Sequence, residues 1–427
     1  GIARLNRQLA GMSPSSAGAA ALMDQRDAYV DQLSQLMDIR VVDNGQSGVS
    51  VFTNSGVELV GVQAAQIQFT PQGTMTPDAL WSSDPAKRSV GTLTLVSPNG
   101  GSLDLLASNS IRSGSIAALV DMRDNVLPAA QAQLDGFAAA MAQALSNTTT
   151  AGTPAASGAQ NGFDLDLSGL ASGNSMKVGY TDIASGTAKT VTFVRVDSAG
   201  ALPLSAGTDP NNTIVGIDFS GGPASVAAQV ASALGADFTV SNPSGSTLRI
   251  LDDGGVAVSM TSASATRTAS GFSSGGAALP LFVDSQGLYS GAVTSGSAQI
   301  RGFAGRISVN AAVVADPSKL VMMSGTTAAG DATRPSFILD QLTQASLSVT
   351  VPGAGGASSP TMQTTLSGFL QQGQQVVVDS LRQRMSEKSS VSIDEEMTQL
   401  LALQSAYSAN ARVLSAVKEM LDTLSRI

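Results

Sequence analysis

The sequence contains no cysteine and no histidine, and only one tryptophan and four tyrosines in 427 residues. These absences exclude zinc sites built from cysteine and histidine, cysteine proteases, Ser-His-Asp triads, histidine-ligated haem and disulfide scaffolds. Lysine and arginine number 23 against 32 aspartates and glutamates, which gives a formal net charge of −9. Without a surplus of cationic side chains, nucleic acid and anionic membrane surfaces are not expected partners.

Long apolar runs are also missing, since none reaches the roughly 18 residues that a membrane-spanning helix needs. We therefore expect no membrane insertion. Glutamate is scarce and unevenly placed: four of the five glutamates lie between Glu387 and Glu419. Glutamate favours helices, whereas aspartate and glycine favour turns and caps. The sequence thus predicts helical chain ends and a β-rich middle.

The N-terminal third alternates between two hydrophobic periods. A helical period predicts helices at 1–10, 22–37 and 115–145, and Pro128 is expected to kink or restart the last of them. Between the second and third helices, a period of two with Asn-Gly and Ser-Gly turns predicts short strands. These strands are expected at 39–42, 49–53, 57–60, 92–96 and 102–105.

The middle of the chain has the regular strand spacing of a sandwich or partial barrel. Residues 146–161 and 263–278 lack periodicity and are interpreted as linkers. One short helix is expected at 224–234, and a second β-rich segment follows, with strands at 307–309 and 347–351 and a helix at 335–345. The strands of the middle are expected at 163–167, 176–181, 190–196, 214–219, 238–241, 248–251 and 256–260.

Two helices are predicted at the C-terminus, 362–388 and 393–427. In the last one, apolar residues recur every three or four positions with a mean gap of about 3.4, close to the 3.5 of a coiled-coil seam. Such a stripe needs a partner, either the N-terminal helices of the same chain or another subunit, and both remain open. The residues expected to make subunit or chaperone contacts are Met397, Leu400, Leu403, Tyr407, Leu414, Val417, Leu421 and Leu424.

Two acidic motifs are candidates for a metal or catalytic site. Asp164 and Asp166 alternate along a predicted strand, an arrangement that suits a calcium ion or a glycosidase pair but is more typical of a solvated strand face. Asp252 and Asp253 precede two glycines and are interpreted as a hairpin turn. No phosphate-binding glycine motif is present. The residues therefore indicate no catalytic, metal or cofactor site, and the chain is not expected to be an enzyme.

Three stretches resemble the flagellar hook-associated protein 1 family, whose members form the first hook–filament junction. They are Leu-Met-Asp-Gln-Arg-Asp with Val-Asp-Gln-Leu-Ser at 22–34, Ser-Gly-Ser-Ile-Ala-Ala-Leu with Arg-Asp and Val-Leu-Pro at 113–128, and Gln-Ser-Ala-Tyr-Ser-Ala-Asn-Ala-Arg at 404–412. The last stretch is typical of flagellar axial proteins in general, whereas the first specifies the junction protein. Residues 302–307 and 330–335 also resemble the family.

The resemblance implies a structural protein of the bacterial flagellum that is exported by the type III apparatus, assembles outside the cell and serves motility. Its implied partners are the hook protein, the second junction protein, further copies of itself in a ring, and an export chaperone on the C-terminal helix. The alternatives are another flagellar axial protein, such as a flagellin or the second junction protein, and less favoured, a secreted surface adhesin or hydrolase.

The expected fold is α+β and multidomain, with a discontinuous helical bundle from both chain ends and β-rich domains inserted between them. We expect a helical tube-side domain at 1–147 with small hairpins at 39–105, an outer β-rich domain at 148–280, a returning β-rich segment at 281–360, and C-terminal helices at 361–427. The family's N-terminal helix, with its Asn-Thr-x-Gly-Tyr motif, is missing from this sequence, which is therefore expected to be N-terminally truncated.

Overall fold

The computed structural model describes residues 1–344 apart from 14, 46–47, 72, 205–210, 275 and 296, together with the strands at 346–349 and 362–365 and residues 375 and 378. The chain divides into two compact units, Gly1–Thr364 and Thr365–Ile427. The predicted C-terminal helix and its eight interaction residues lie outside the described residues.

Helix α1 (Ile2–Leu9) packs one face into the N-terminal core. Leu5 and Leu9 are buried because a four-residue spacing puts both side chains on one side of a helix. The side-chain amide of Asn6 bonds both backbone groups of Val49, donating to the carbonyl at 2.7 Å and accepting from the amide at 3.3 Å. These bonds attach α1 to the first sheet.

Helix α2 (Ala17–Leu36) lies mostly at the surface. It begins after Ser16, whose hydroxyl accepts a hydrogen bond from the Ala19 amide at 3.2 Å, a side-chain cap on an otherwise unpaired donor. Of its 20 residues, only Ala19 and Arg26 are buried. Most of the helix surface is therefore left to solvent or to a partner.

Two three-stranded antiparallel sheets follow α2. The first contains β1 (Ile39–Asp43), β2 (Val49–Thr53) and β3 (Glu58–Val60), and the second contains β4 (Gln66–Thr70), β5 (Thr92–Val96) and β6 (Ser102–Asp104). Both sheets share one hydrophobic core with α1 and the end of α2. Its most buried members include Ile2, Met37, Val51, Leu59, Leu95 and Leu105.

A single helical run leads from this region to the rest of the chain. It consists of α3 (Gly114–Asp121), a π-helical turn (Met122–Val126) and α4 (Leu127–Ser146). The C-terminal half of α4 buries alanines, and these pack against the aromatic rings of Tyr289 and Phe303. The helix thus connects the N-terminal sheets to a segment that follows much later in sequence.

Residues 147–268 form two sheets and one helix. The strands are β7 (Asn147–Ala151), β8 (Thr153–Ser157), β9 (Gln160–Asp166), β10 (Ser175–Asp182), β11 (Thr187–Val196), β12 (Asn212–Asp218), β13 (Thr239–Ser241), β14 (Thr247–Leu251) and β15 (Val258–Thr268), and the helix is α5 (Gly222–Leu234). The larger sheet has the order β12-β11-β10-β15-β7 and the smaller one β13-β14-β9-β8. All pairings are antiparallel except that of β11 with β12.

Both sheets and α5 contribute to one continuous core. Phe193 and Val178 of the larger sheet, Leu248 of the smaller sheet and Val230 of α5 are all fully buried in it. Side chains alternate along each strand, so the opposite face of the larger sheet is occupied by polar residues such as Lys177. We refer to residues 147–268 as the sandwich.

The chain then returns to the helical run. This segment contains β16 (Phe282–Asp284), a 3₁₀ turn (Phe303–Gly305), β17 (Ile307–Val309), α6 (Ala311–Ala315), a second 3₁₀ turn (Pro317–Leu320) and α7 (Thr333–Gln344). β18 (Ser346–Val349) pairs with β19 (Met362–Thr365). Within the described residues, no helix is long and apolar enough to cross a membrane.

The structure is a mixed α and β architecture of several small sheets, and none of those described closes into a barrel.

Several predictions of local structure are wrong. The expected linker at 146–161 contains β7 and β8, and β15 extends to Thr268 into the other expected linker. β4 was not predicted, and β19 occupies the start of an expected helix. Segments rich in Ser, Thr and Ala show only a weak hydrophobic period. Their conformation therefore depends on pairing with neighbouring strands.

Candidate functional site

The helical run starts where two backbones touch. Gly114, the first residue of α3, has a φ of +89°, and a Cβ on it would lie 2.6 Å from the backbone of Leu36 and Met37. Glycine is therefore required both by its conformation and by the lack of space. This contact places the start of α3 directly at the end of α2.

The π-helical turn explains how the helix passes a proline. The Leu127 amide donates to the Met122 carbonyl, five residues earlier instead of four. In a regular α-helix, the ring of Pro128 would collide with the carbonyl four residues before it. The wider turn removes that conflict, and α4 restarts at Leu127 with Pro128 in its first turn, as the sequence predicts.

An arginine ties this turn to the second sheet. Arg123 donates to both carboxylate oxygens of Asp124, at 2.6 and 2.9 Å, and its remaining nitrogen donates to the Gly91 carbonyl at 2.7 Å. Both side chains are largely buried. The Arg-Asp pair of the 113–128 motif therefore has a structural role in fixing the helical run against the sheet.

Large apolar side chains project from the outer side of the same helical run, which we name the outer helix face. Successive positions are three, four, one and seven residues apart, so apart from the adjacent pair they recur at the spacing of one helix side. The π turn contains an extra residue, and two adjacent side chains are exposed there. The face consists of Leu119, Met122, Val126, Leu127 and Leu134, whose exposed fractions are 68%, 49%, 48%, 57% and 52%.

Two clefts flank the helical run. The larger, of about 840 Å³, lies between Trp81 and the first turns of α3, and Asp121 and Asp124 line one part of it. The smaller, of about 440 Å³, is lined by Leu80, Leu127 and neighbouring residues. Trp81 is half-buried, and among the described residues its indole nitrogen has no hydrogen-bond partner.

A buried carboxylate connects α4 to the returning segment. Asp135 is 3% exposed, and its two oxygens accept hydrogen bonds from the backbone amides of Gly302 and Ala304 at 2.7 and 2.9 Å. Gln131, one helical turn earlier, donates to the same carboxylate at 2.9 Å. The stretch at 302–307 is thus held on α4 by the Asp135 carboxylate. The hydrogen bonds that this carboxylate accepts offset the free-energy cost of burying it.

The same stretch is reinforced by a stacked aromatic pair. The rings of Tyr289 and Phe303 lie 3.9 Å apart between centroids with an interplanar angle of 15°. Burial of the phenol raises the pKa of Tyr289 well above its ordinary value. Arg306 donates to both carboxylate oxygens of Asp284, at 2.7 and 3.0 Å, and this bond raises the pKa of the guanidinium.

The stretch at 330–335 supplies a fully buried guanidinium. Arg334, at the start of α7, donates to five backbone carbonyls in two loops and contacts no carboxylate among the residues that the structure describes. Burial lowers its pKa from the ordinary value. The five N–H donors of the planar guanidinium match the five carbonyl acceptors. One side chain therefore holds both loops in place. The acceptors are the carbonyls of Phe272, Gly276, Ala277, Lys319 and Met322.

The Asp-Gln-Arg-Asp motif lies on α2. Asp24, Gln25 and Asp27 are exposed, whereas Arg26 is 8% exposed and its Nε donates to Asp27 at 3.3 Å. The motif thus places one arginine inside the N-terminal region and a row of polar side chains outside. Together with the outer helix face, it gives this region two helical surfaces that face outward.

Comparison with known families matches both ends of the chain. Residues 1–165 match the flagellar hook-associated protein FlgK helical domain, and residues 382–427 match the C-terminal domain of the flagellar basal body rod FlgEFG proteins. The first match contains the motifs at 22–34 and 113–128 that carry the resemblance. Residues 1–165 are a FlgK helical domain.

Among solved structures, the FlgK flagellar hook junction protein from Burkholderia pseudomallei is similar at 21% sequence identity. The match covers 63% of this chain and 44% of that protein, with a TM-score of 0.26. This chain therefore spans less than half of the length of its FlgK relative. No curated protein sequence matches it.

The side chains of the acidic motifs are engaged in structural contacts. Arg249 donates to both oxygens of Asp164 at 2.7 Å, and Arg267 donates to Asp166 at 2.9 Å. The hydrogen bonds to Asp164 lower its pKa, as do those from Ser168 to Asp166. A glycosidase acid needs a raised pKa instead. No group of three potential metal ligands occurs among the described residues.

Asp252 and Asp253 do not form the predicted hairpin. β14 and β15, on either side of them, belong to different sheets, so the turn carries the chain across the sandwich. Asp253 accepts from the amides of Ala257 and Val256, and buried Asp252 accepts from Asn161. The glycines are correctly predicted as turn residues, but pairing of the flanking strands is a tertiary choice.

Sequence reasoning did not identify the outer helix face, Asp135 or Arg334 as important positions. The family-like stretches at 302–307 and 330–335 were the available signal for the last two. A single aspartate within a helix has no pattern that distinguishes burial from exposure. Its partners are backbone amides more than 160 residues away, which only the fold brings together.

Proposed function

We propose that this protein is a structural component of the bacterial flagellum that joins the hook to the filament. The observation that carries the proposal is the outer helix face, which lies within the residues that match the FlgK helical domain. Covering each of its side chains would contribute roughly 1–2 kcal/mol. A large exposed apolar stripe is typical of an interaction surface.

In this proposal, helices from both chain ends form a discontinuous bundle, and the C-terminal stripe from Met397 to Leu424 supplies packing within or between subunits. The heptad-like spacing of that stripe supports a helix partner. The proposed division places the tube-side helices at 1–147 and 361–427, the outer β-rich domain at 148–280 and a returning segment at 281–360. Hook protein, the second junction protein, further copies and an export chaperone are the proposed partners, outside the cell once assembled.

The role is structural and not catalytic. The ion pairs of Asp164 with Arg249 and of Asp166 with Arg267 support this, because both carboxylates are engaged by arginines and have lowered pKa values. Replacing both with asparagine is expected to leave assembly and motility intact. Loss of a measurable hydrolase activity in that double variant would contradict the proposal.

The test is a substitution of the C-terminal stripe in the bacterium that carries this protein. Leu403→Gln, Leu414→Gln and Leu421→Gln together should leave complete hooks without filaments while filament protein accumulates in the medium. The control changes Ser405, Ser415 and Thr423, which lie off the stripe, to glutamine and should assemble normally. Electron microscopy of cells and analysis of the medium distinguish the outcomes.

Normal filaments on the stripe variant would overturn the proposed role of these residues. Missing hooks, or filaments of altered form, would favour a different axial protein of the flagellum. Deleting residues 392–427 should have the same effect as the triple substitution while the sandwich stays folded.

A further inference from the structure

The sandwich joins the rest of the chain through two strand ends that lie side by side. Asn147, where β7 begins, pairs with Thr268, where β15 ends. Next to them, the Ala269 amide donates to the Ser146 carbonyl at 2.7 Å. Two adjacent chain crossings alone act as a hinge, because bending there disturbs few other contacts. A third contact is needed to fix the angle.

Such a contact exists between the turn that follows β9 and the loop that follows β16. The Ser290 hydroxyl donates to the Ser172 carbonyl at 2.6 Å. Gly173 has a φ of +86°, and a Cβ on it would lie 2.3 Å from the carbonyl carbon of Gly291. The two backbones therefore meet without a side chain between them, which only glycine allows.

Both sides of this contact are held by polar side chains. On the sandwich side, Asn174 is 3% exposed, and it donates to the Thr268 hydroxyl at 2.7 Å and accepts from the Thr268 amide at 3.1 Å. The contact is thus tied to the end of β15. On the other side, the side-chain oxygen of Gln299 accepts from the three amides of residues 290–292 at 3.1 to 3.3 Å.

The loop that carries Gly291 is in turn packed on α4. Tyr289 and Phe303 are buried against Ala138 and Ala142 of that helix. A continuous series of buried and half-buried contacts therefore runs from the helical run, through the loop, to the sandwich. It adds a third connection to the two chain crossings.

We propose that this three-point attachment fixes the sandwich at one angle to α4, so that the outer sheets project as a rigid arm and not as a hinged one. The contact between Gly173 and Gly291 is the point at which the arm is locked. This inference concerns the isolated chain and is independent of the junction role. In an assembly of many copies, a fixed angle would give every outer domain the same orientation.

The absence of cysteine allows clean spin labelling of the full chain. Labels at Ser115→Cys on α3 and Ala184→Cys in the sandwich, both exposed positions, report the angle as a distance distribution measured by electron–electron double resonance. The parent should give one narrow peak. Gly173→Ala should shift and broaden it, since the added methyl cannot be accommodated.

The matched control is Gly158→Ala in the same sandwich. Gly158 also has a positive φ, of +62°, but a Cβ there meets nothing within 4 Å, so the same backbone strain arises without a collision. This control should retain the narrow peak. A broad peak in the parent, or an unchanged narrow peak in folded Gly173→Ala, would overturn the proposal.

A milder variant covers the case in which Gly173→Ala does not fold, as judged by circular dichroism. Ser290→Ala removes only the hydroxyl that donates to the Ser172 carbonyl. It should broaden the distribution to a smaller degree than Gly173→Ala. If Gly173→Ala fails to fold and Ser290→Ala leaves the peak unchanged, the lock is not at this contact and the proposal is wrong.

Discussion

The sandwich and the helical run differ in how far their large apolar side chains are buried. In the sandwich, two sheets and α5 enclose Phe193, Val178 and Leu248 completely, and its surface is dominated by small polar residues. In the helical run, α3 buries none of its residues, and Leu119 is 68% exposed. The sandwich encloses its own core, whereas the helical run leaves large apolar side chains exposed. Enclosed and exposed apolar side chains thus lie in different regions of one chain.

The largest expected effect tests whether the sandwich core is self-contained. Phe193→Ala removes a fully buried ring from the centre of that core and should cost about 3–5 kcal/mol of unfolding free energy. Denaturant unfolding followed by circular dichroism measures it. The sheet signal should be lost first while helical signal persists. Val256→Ala, at a side chain that is 79% exposed, should change stability by less than about 0.5 kcal/mol.

A simultaneous loss of helix and sheet in Phe193→Ala would show that the two regions fold as one unit. The contrast between them would then be one of surface and not of stability.

The next effect concerns the buried polar connection of the helical run. Asp135→Asn replaces one acceptor oxygen with a donor facing the amides of Gly302 and Ala304, and should destabilise the chain by about 1–3 kcal/mol. Thermal unfolding measures the loss. Asp121→Asn, an exposed position in the same helical run, is the control. Equal stability of both variants would mean that the returning segment is held on α4 by the aromatic stack alone.

A smaller effect depends on pH. The Arg249 hydrogen bonds lower the pKa of Asp164 below its ordinary value in the folded chain. The ion pair therefore stabilises the sandwich fully above the ordinary carboxyl pKa, and that contribution is lost as pH falls through the lowered pKa. Asp164→Asn should be less stable than the parent at neutral pH, and the difference should vanish in strong acid.

Urea unfolding at several pH values checks this, with exposed Asp237→Asn as the control from the same sandwich. A difference that grows as the pH falls would have the wrong sign and would contradict the role of the ion pair.

The smallest effect on stability is expected at the outer helix face. Leu119→Gln with Leu134→Gln changes two side chains that are more than half exposed and should change the unfolding free energy by less than about 0.5 kcal/mol. The same pair should weaken self-association, measured by sedimentation at increasing concentration. Ser115→Gln with Asn125→Gln, at exposed polar positions of the same run, should leave both properties unchanged. A large loss of stability would show that this face is already part of a core.

Much of the local structure could be predicted because period and turn chemistry act over a few residues. The strands at 49–53 and 92–96 have the predicted bounds, and the restart of the helix at Pro128 follows from the missing proline amide. The family was recognisable from motifs on α2 and the helical run, and the comparison at 1–165 confirms it. The predicted C-terminal interaction residues lie outside the described residues and stay a prediction.

Other features could not be predicted from the sequence because the residues that they contact are distant in the chain. β7 is a row of threonines that becomes a strand only because β15 offers an edge to pair with. Asp252 and Asp253 sit in a turn whose flanking strands enter different sheets, a choice that no local pattern contains. The positions of Asp135 and Arg334 likewise depend on loops that approach from elsewhere in the chain.

The amino-acid sequence alone excludes the sites that need cysteine or histidine, because neither residue occurs. Its apolar residues at helical spacing predict which face of each helix packs. Which apolar residues are enclosed, which stay exposed, and where Gly173 meets Gly291 depend on how distant segments pack together. The reason is physical: periodicity defines the face of an element, but burial requires a second surface, and that surface comes from a distant part of the chain.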